Sequence, residues 1–325
     1  MTVRIGLVGL GMMGRTHLAA YADIPEAEVV ALCDSDADRL AGGHEAAVDA
    51  RKTGDYRELI DDSGIDAVDL CVPTCLHATM TIDALQAGKH VFCEKPMAPA
   101  ADKAAAMLAA ARDSGRLLMV GHVLRFWPEY VAIKEMIDDG RFGRARAATL
   151  RRVSGEPGWD AGWYADPSMS GSAAMDLHIH DVDAVRWWFG RATEVASTGV
   201  PDAAGASYIS TQYRFESGPA VVAEGGWLSG QVPFAMSATV DFERATVVYD
   251  ASATPTLRIY PESGEPMTPP VEPADAYRRE LAHFVDCVST GSSTRRASPE
   301  DALAAVATVE AELKSLRTGG AVKVP

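Results

Sequence analysis

The chain of 325 residues is 47% hydrophobic and 23% charged, more apolar material than one core usually organises, so two domains are expected. Its formal charge of -15 excludes a nucleic-acid footprint, because phosphate binding needs clustered Lys and Arg. No apolar run approaches the ~18–20 residues of a membrane span, and "MTVRIGLVGLG" sets polar residues too close to its apolar stretch for a signal peptide, so the expected compartment is the cytoplasm.

Apolar, β-branched runs open the chain: residues 3–9, 28–34, 66–72, 90–94 and 116–121 read as strands. They are continuously apolar rather than alternating, as strands covered on both faces in a parallel sheet are. Between them, 13–22, 36–48, 77–87 and 100–114 read as helices. The expectation is therefore an α/β doubly wound (Rossmann) parallel sheet over 1–121. After 121 the rhythm changes. A helix "PEYVAIKEMIDDG" leads to a strand near 144–153, a Gly/Trp/Ser-rich loop at 154–172 and a helix over about 174–189. "SYISTQYRFESG" and "PAVVAEGGWLSG" follow, joined through Ser217-Gly218 as a hairpin. The stretch 261–273 is a Pro-rich loop, and helices near 274–289 and 298–317 close the chain. Residues 122–325 thus read as an α+β domain with a mostly antiparallel open sheet.

The five cysteines are an odd number, mostly in or beside strand-like runs, and read as small core hydrophobes. Histidines and cysteines show no zinc-finger spacing, so no metal is expected.

Gly9, Gly11 and Gly14, with Met12 and Met13 between them, form a GxGxxG that follows the first strand and opens the first helix. In that context the glycines allow a tight turn, close approach of a pyrophosphate, and helix–strand packing. Asp34 ends the second strand, where a carboxylate reaches ribose hydroxyls and repels a 2′-phosphate. NAD is accordingly favoured over NADP, with Arg39 a counter-indication; Asp34 also suits a helix cap. In open α/β sheets ligands sit beyond the carboxyl ends of the strands. Thr74, His77 and Glu94 occupy such ends and are candidate cofactor contacts, while His122 and Arg125 are candidate substrate contacts.

Lys95 follows Glu94 and precedes Pro96, which fixes the backbone and allows a cis bond that aims the lysine into the cleft. A surface pair with Glu94 is the plainer reading of the same lysine. In "AMDLHIHDVDAVRWWFG", Asp176 and His180 are four apart, about 40° apart around an α-helix, on one face. A carboxylate so placed can orient and tune an imidazole whose pKa is already near working pH. His178 falls instead on the apolar stripe and reads mainly as a packing histidine. The aromatic loop offers Trp159, Trp163 and Tyr164, with Asp160 and Asp166 nearby. Such groups suit a polyol, whose C–H face stacks while its hydroxyls bond, or equally a packing or oligomer contact. Arg125 and Arg152 leave an anionic substrate such as a sugar acid open.

In this order, GLGMMG with Asp34, EKP, GH at 121–122 and DLHIHDVD resemble the Gfo/Idh/MocA family of NAD(P)-dependent oxidoreductases, its inositol dehydrogenase branch in particular. The resemblance spans essentially the whole chain. It implies reversible hydride transfer between a sugar or cyclitol carbinol and nicotinamide. Lys95, Asp176 and His180 would be catalytic: His180 the general base, Lys95 a donor to the reacting oxygen, Asp176 orienting both. It further implies a homodimer or homotetramer through the second sheet, whose exposed strands would otherwise be a liability. Two other readings stay open: redox-cycling glycoside cleavage in which NAD is reduced and reoxidised, and a non-catalytic dinucleotide and sugar sensor.

Overall fold

The computed structural model describes residues 2–42, 45–157, 163–164, 166–272 and 274–325. Contacts divide the chain into two compact units, Met1–Phe126 with Asp275–Leu303, and Trp127–Ala274 with Ala304–Pro325.

Among the described residues of the first unit, six parallel strands are β1 (Val3–Val8), β2 (Ala27–Cys33), β3 (Arg51–Thr53), β4 (Ala67–Leu70), β5 (His90–Glu94) and β6 (Leu118–Gly121). Their order is β3-β2-β1-β4-β5-β6. The connecting helices are α1 (Met12–Tyr21), α2 (Ala37–Ala41), α3 (Arg57–Ile60), α4 (Thr74–Gln86) and α5 (Ala101–Ser114). Both faces of the sheet are covered, and Ile5, Leu7, Val68, Leu70, Val91 and Phe92 are fully buried. Chain order reverses direction between β1 and β4, which leaves a crevice beyond their ends. Val8 lies level with both Cys33 and Leu70, so Gly9, Asp34 and Cys71 emerge together at that edge.

Two short elements, β3 and α3, have no counterpart in the expected rhythm. The helix expected over 36–48 stops at Ala41, before Gly42 and Gly43, residues costly in a helix interior. At its start the Asp36 side chain accepts from the N–H groups of Asp38 and Arg39.

In the second unit α6 (Pro128–Asp139) begins on proline and ends at Gly140, whose φ of 64° is left-handed. Then come β7 (Ala145–Gly155), α7 (Pro167–Ser170) and a π turn over Ala174–His178 that runs into α8 (Ile179–Phe189). The strands β8 (Glu194–Pro201), β9 (Ala206–Arg214), β10 (Ala220–Leu228), β11 (Ala235–Phe242), β12 (Ala245–Asp250) and β13 (Leu257–Pro261) follow. With β14 (Val322–Lys323) they form a sheet ordered β13-β12-β11-β7-β10-β9-β8-β14. Pairing is antiparallel except between β7 and β10, and β9–β10 is the expected hairpin. Burial alternates, as a sheet covered on one face requires. Along β11, Met236, Ala238, Val240 and Phe242 point inward, and Ser237, Thr239 and Asp241 point outward.

The chain then returns to the first unit through α9 (Ala276–Thr290), which packs on α1 and β1 and sets Phe284 edge-on to Phe92 at 5.6 Å. The last helix, α10 (Pro299–Thr318), begins in the first unit and continues in the second. The division therefore differs from a simple break at 121/122, because the apolar face of α9 is buried in the first unit's core.

Candidate functional site

The Gly-rich turn is built as the sequence requires. Gly9 has φ +89°, and a Cβ there would come 2.3 Å from the Cys71 carbonyl oxygen. A Cβ on Gly14 would come 1.8 Å from the Gly9 oxygen. Neither position tolerates a side chain. Gly11 caps α1 without any side-chain acceptor, the uncapped helix start that a pyrophosphate uses. Met12 and Met13 form its first turn, with Met12 44% exposed. Asp34 also braces this turn, since one carboxylate oxygen accepts the Leu10 N–H at 2.6 Å and the other the Asp36 N–H at 2.9 Å. It fastens the glycines while keeping negative charge at the end of β2. Arg39 lies 4.0 Å from it. This turn fits a dinucleotide.

Two residues expected at the cofactor turn inward instead. His77, on α4, faces the Pro96 carbonyl at 2.7 Å and the Val72 carbonyl at 2.9 Å, and its neutral ring donates to one of the two, so it braces backbone there. Burial pulls its pKa below the ordinary value of 6.5. Glu94 is buried; its Oε1 meets His17 Nε2 at 3.1 Å, and its Oε2 accepts the Lys95 N–H at 2.9 Å. Thr74, the first residue of α4, is buried as well. Lys95 is half-buried, and the Lys95–Pro96 bond is cis.

Behind Glu94 lies a charge cluster that sequence reasoning missed. Asp69 sits mid-strand in β4 with no exposure, where an unpaired carboxylate would be costly. His17 Nδ1 meets it at 2.8 Å and lies 3.2 Å from the Cys71 sulfur. Asp69, Cys71, Phe92 and Glu94 share one sheet face, the one α1 covers, because Asp69 pairs with Phe92 in register. Gly121 leaves room for Glu94: a Cβ there would come 3.1 Å from its Oε1. Burial works against a charged His17, yet its pKa is held well above 6.5, with the Asp69 carboxylate the leading counterweight. For Glu94, burial is likewise outweighed, here by His17, and its pKa is lowered. Burial pushes the Cys71 thiol up.

In the second unit Asp176 lies within the π turn and His180 in the first turn of α8. A π turn holds more residues per turn than 3.6, so the four-residue step between them comes closer to a full turn than an α-helix allows. Asp176 is buried and His180 half-buried. His178, between them, is buried but not apolar in its surroundings: its Nε2 meets Glu312 Oε2 at 3.1 Å, and Tyr213 donates to Glu312 Oε1 at 2.5 Å. Gly225 makes this possible, since a Cβ there would come 2.8 Å from that of His178.

Trp163 and Tyr164 stack at 3.8 Å, and Tyr164 meets Trp227 edge-on at 6.2 Å, adding an aromatic residue the sequence reading did not single out. Trp159 and Asp160 lie outside the described residues. His122 is buried beyond β6.

Both arginines expected at an anionic substrate are committed to protein groups. Arg125, 3% exposed, donates to the Arg296 carbonyl at 3.0 Å and to Asp301 at 2.9 Å. Arg152, 4% exposed, makes a two-pronged pair with Asp181 at 2.9 and 3.2 Å. Their charges are spent inside the units.

Comparison with known proteins agrees with this geometry. Residues 3–122 match the family model described as "Oxidoreductase family, NAD-binding Rossmann fold", and residues 130–253 match "GFO/IDH/MocA C-terminal domain". The chain is 31% identical to "Inositol 2-dehydrogenase 2" of Saccharopolyspora erythraea, over 100% of this chain and 96% of that protein. It is 29% identical to an inositol 2-dehydrogenase of Rhizobium meliloti over 97% of each. Among solved structures, a levoglucosan dehydrogenase in complex with NADH aligns with a TM-score of 0.89 at 22% identity, over 100% of both chains, a likeness of fold.

Proposed function

The chain belongs to the Gfo/Idh/MocA family of NAD-binding oxidoreductases, and on that footing we propose that it is an NAD-dependent dehydrogenase of an inositol-like cyclitol or neutral sugar, with Lys95, Asp176 and His180 as catalytic residues. The observation that carries the reading is the turn in which Gly9 and Gly14 admit no Cβ and Asp34 holds the Leu10 N–H. When bound, the nicotinamide supplies the hydride chemistry. His180 takes the proton of the reacting hydroxyl, Lys95 donates to the same oxygen, and Asp176 orients them. Such proton handling is typically worth about 10²–10⁴-fold in rate. Trp163, Tyr164 and Trp227 supply faces for the C–H side of a polyol, with His122 a further substrate contact. With Arg125 and Arg152 both buried against carboxylates, a neutral polyol is favoured over a sugar acid.

The test is NADH absorbance with NAD and a panel of inositols, aldoses and sugar acids. Steady NADH growth with a neutral polyol is expected. Lys95→Ala and His180→Ala should each lower turnover at least ~10²-fold with NADH affinity little changed. Growth with none of the panel overturns the assignment, and polyol conversion without NADH growth replaces it with redox cycling.

The finer features belong to the same proposal. The outward face of the second sheet, which carries Ser237 and Thr239 of β11 and the Arg151–Glu224 pair, is the surface for a dimer or tetramer. Sedimentation as a monomer would remove it. The five free thiols suit a reducing cytoplasm, and among the described residues no helix is long and apolar enough to cross a membrane.

A further inference from the structure

Lys95 carries its chemistry on a segment that the protein holds from behind. On one side the Glu94 carboxylate accepts the Lys95 N–H at 2.9 Å and reaches His17 at 3.1 Å; His17 in turn is fixed by Asp69 at 2.8 Å. On the other side the Pro96 carbonyl meets His77 at 2.7 Å, and His77 also meets the Val72 carbonyl at 2.9 Å. Two buried imidazoles from α1 and α4 thus bracket the lysine. Neither touches its ammonium through any of these bonds. Asp69, Glu94 and His17 are almost wholly buried, so the linkage sits where hydrogen bonds polarise one another and an unmet partner is costly.

We propose that His17, acting through Glu94, and His77 are positioning residues that fix the backbone on either side of Lys95 and so set where its ammonium points. The proposal rests on the catalytic reading of Lys95 but makes a separate claim about geometry. A clamp of this kind has leverage, because a misplacement of about 1 Å in a reacting group costs up to about 10²-fold in rate. The groups facing His17 are Asp69 from β4, Cys71 just beyond it, Glu94 from β5 and Tyr277 from α9; Tyr21 of α1 and Glu280 of α9 lie one step further, with Tyr21 interacting with Asp69 and Cys71 and Glu280 acting on Tyr21. Asp69 is the nearest carboxylate and sets the ring's orientation. Glu94 is the one that passes it on.

The experiment uses the full chain saturated with NADH and the variants His17→Gln, Glu94→Gln, His77→Gln and Lys95→Ala. An amine-directed acylating ester labels lysines, and peptide mass spectrometry reads the rate at Lys95 against exposed Lys52 and Lys323. In each of the first three variants the Lys95 rate should change at least ~3-fold while the two reference lysines keep theirs. With the polyol that supports turnover, kcat should fall at least ~10-fold with NADH affinity within ~3-fold of wild type. His17→Gln should also add an acid-side ionisation to the kcat profile, because Glu94 has lost its cation; the double variant with Glu94→Gln should lack it. A loss of folding alone would leave Lys95 labelling and the shape of that profile unchanged in the folded fraction. If His17→Gln does not fold, Glu94→Gln decides, since it keeps the His17–Asp69 pair while its single carbonyl oxygen can accept from only one of His17 and the Lys95 N–H, so the chain between them is broken. Wild-type labelling in folded Glu94→Gln and His77→Gln overturns the clamp. Wild-type turnover in Lys95→Ala alongside shifted labelling keeps the clamp and removes the catalytic role of Lys95.

Discussion

Replacing Arg152 by methionine separates a core arginine from a substrate arginine. The guanidinium is 4% exposed and Asp181 is wholly buried. Their two contacts, at 2.9 and 3.2 Å, are the parallel fork a carboxylate accepts best. Met236 Sδ at 2.8 Å and Tyr130 Oη at 3.4 Å are further interior contacts, and the ring of the exposed Phe234 lies 6.0 Å from the guanidinium. Arg152→Met therefore leaves the Asp181 carboxylate buried without its cation, which costs about 3–5 kcal/mol. Removing both charges in Arg152→Met/Asp181→Leu restores most of that, because an apolar pair of similar volume avoids the desolvation of two ions. Urea unfolding followed by tryptophan fluorescence is the assay, since Trp188 lies 5.0 Å from Tyr130, the ring beside Arg152. With a urea slope of about 1–3 kcal/mol/M, the single variant should lose at least ~1 M in midpoint, and the double variant should regain most of it. A single variant with the wild-type midpoint and a raised KM for a carboxylated sugar would refute the reasoning and return Arg152 to the substrate.

Other expectations concern the cofactor turn and the buried charges. Gly14→Ala places a Cβ 1.8 Å from the Gly9 oxygen, so backbone must move by roughly 1.5 Å to reach ordinary contact; NADH titration by fluorescence should show at least ~10-fold weaker binding, and unchanged binding would deny that the turn holds the dinucleotide. Asp34→Ala removes both the Leu10 N–H acceptor and the charge opposed to a 2′-phosphate, so NADH should weaken at least ~10-fold more than NADPH; equal weakening would count against a ribose contact. His17's folded pKa lies well above its ordinary 6.5, so its stabilising contribution is complete below about pH 6.5 and fades as pH rises through the folded value. Glu94's folded pKa lies below its ordinary 4.5, so its contribution is complete above about pH 4.5 and is lost as pH falls through the folded value. The gap in urea midpoint between wild type and His17→Gln should accordingly narrow from pH 6 toward pH 9, and a constant gap would show that no imidazolium is held there.

The parts of this molecule legible in the sequence are those governed by local rules. The β-α rhythm, the glycine turn and the β9–β10 hairpin follow from periodicity and turn chemistry alone. β3 is three residues long and lies at the sheet edge, too short and too polar to give a periodic signal. The partners of His17 lie 52 and 77 residues away, so nothing within α1 distinguishes it from a packing histidine. Arg152, by contrast, is legible, and expecting it at the substrate overlooks a local rule. Ala148 and Leu150 are apolar at the same parity in β7, which puts Arg152 on their buried face and Arg151 on the exposed one. Counting by twos asks for its buried counter-charge.

Each unit places a fully buried histidine against a carboxylate within two residues of a candidate catalytic group. In the first unit Glu94, joined to His17, immediately precedes Lys95; in the second, His178, joined to Glu312, lies two residues from both Asp176 and His180. Stability does not explain the choice, because an apolar pair of the same volume would serve a core as well or better. What the His17–Glu94 bond adds is direction: it holds only in a narrow range of geometries, and a slipped register leaves a buried polar group unmet. A π turn and a strand end are the places where the local backbone rule leaves most freedom, and there such a constraint has most to do. On the clamp proposed above, the buried His17–Glu94 link fixes backbone where Lys95 must be aimed, which gives its cost a functional reason.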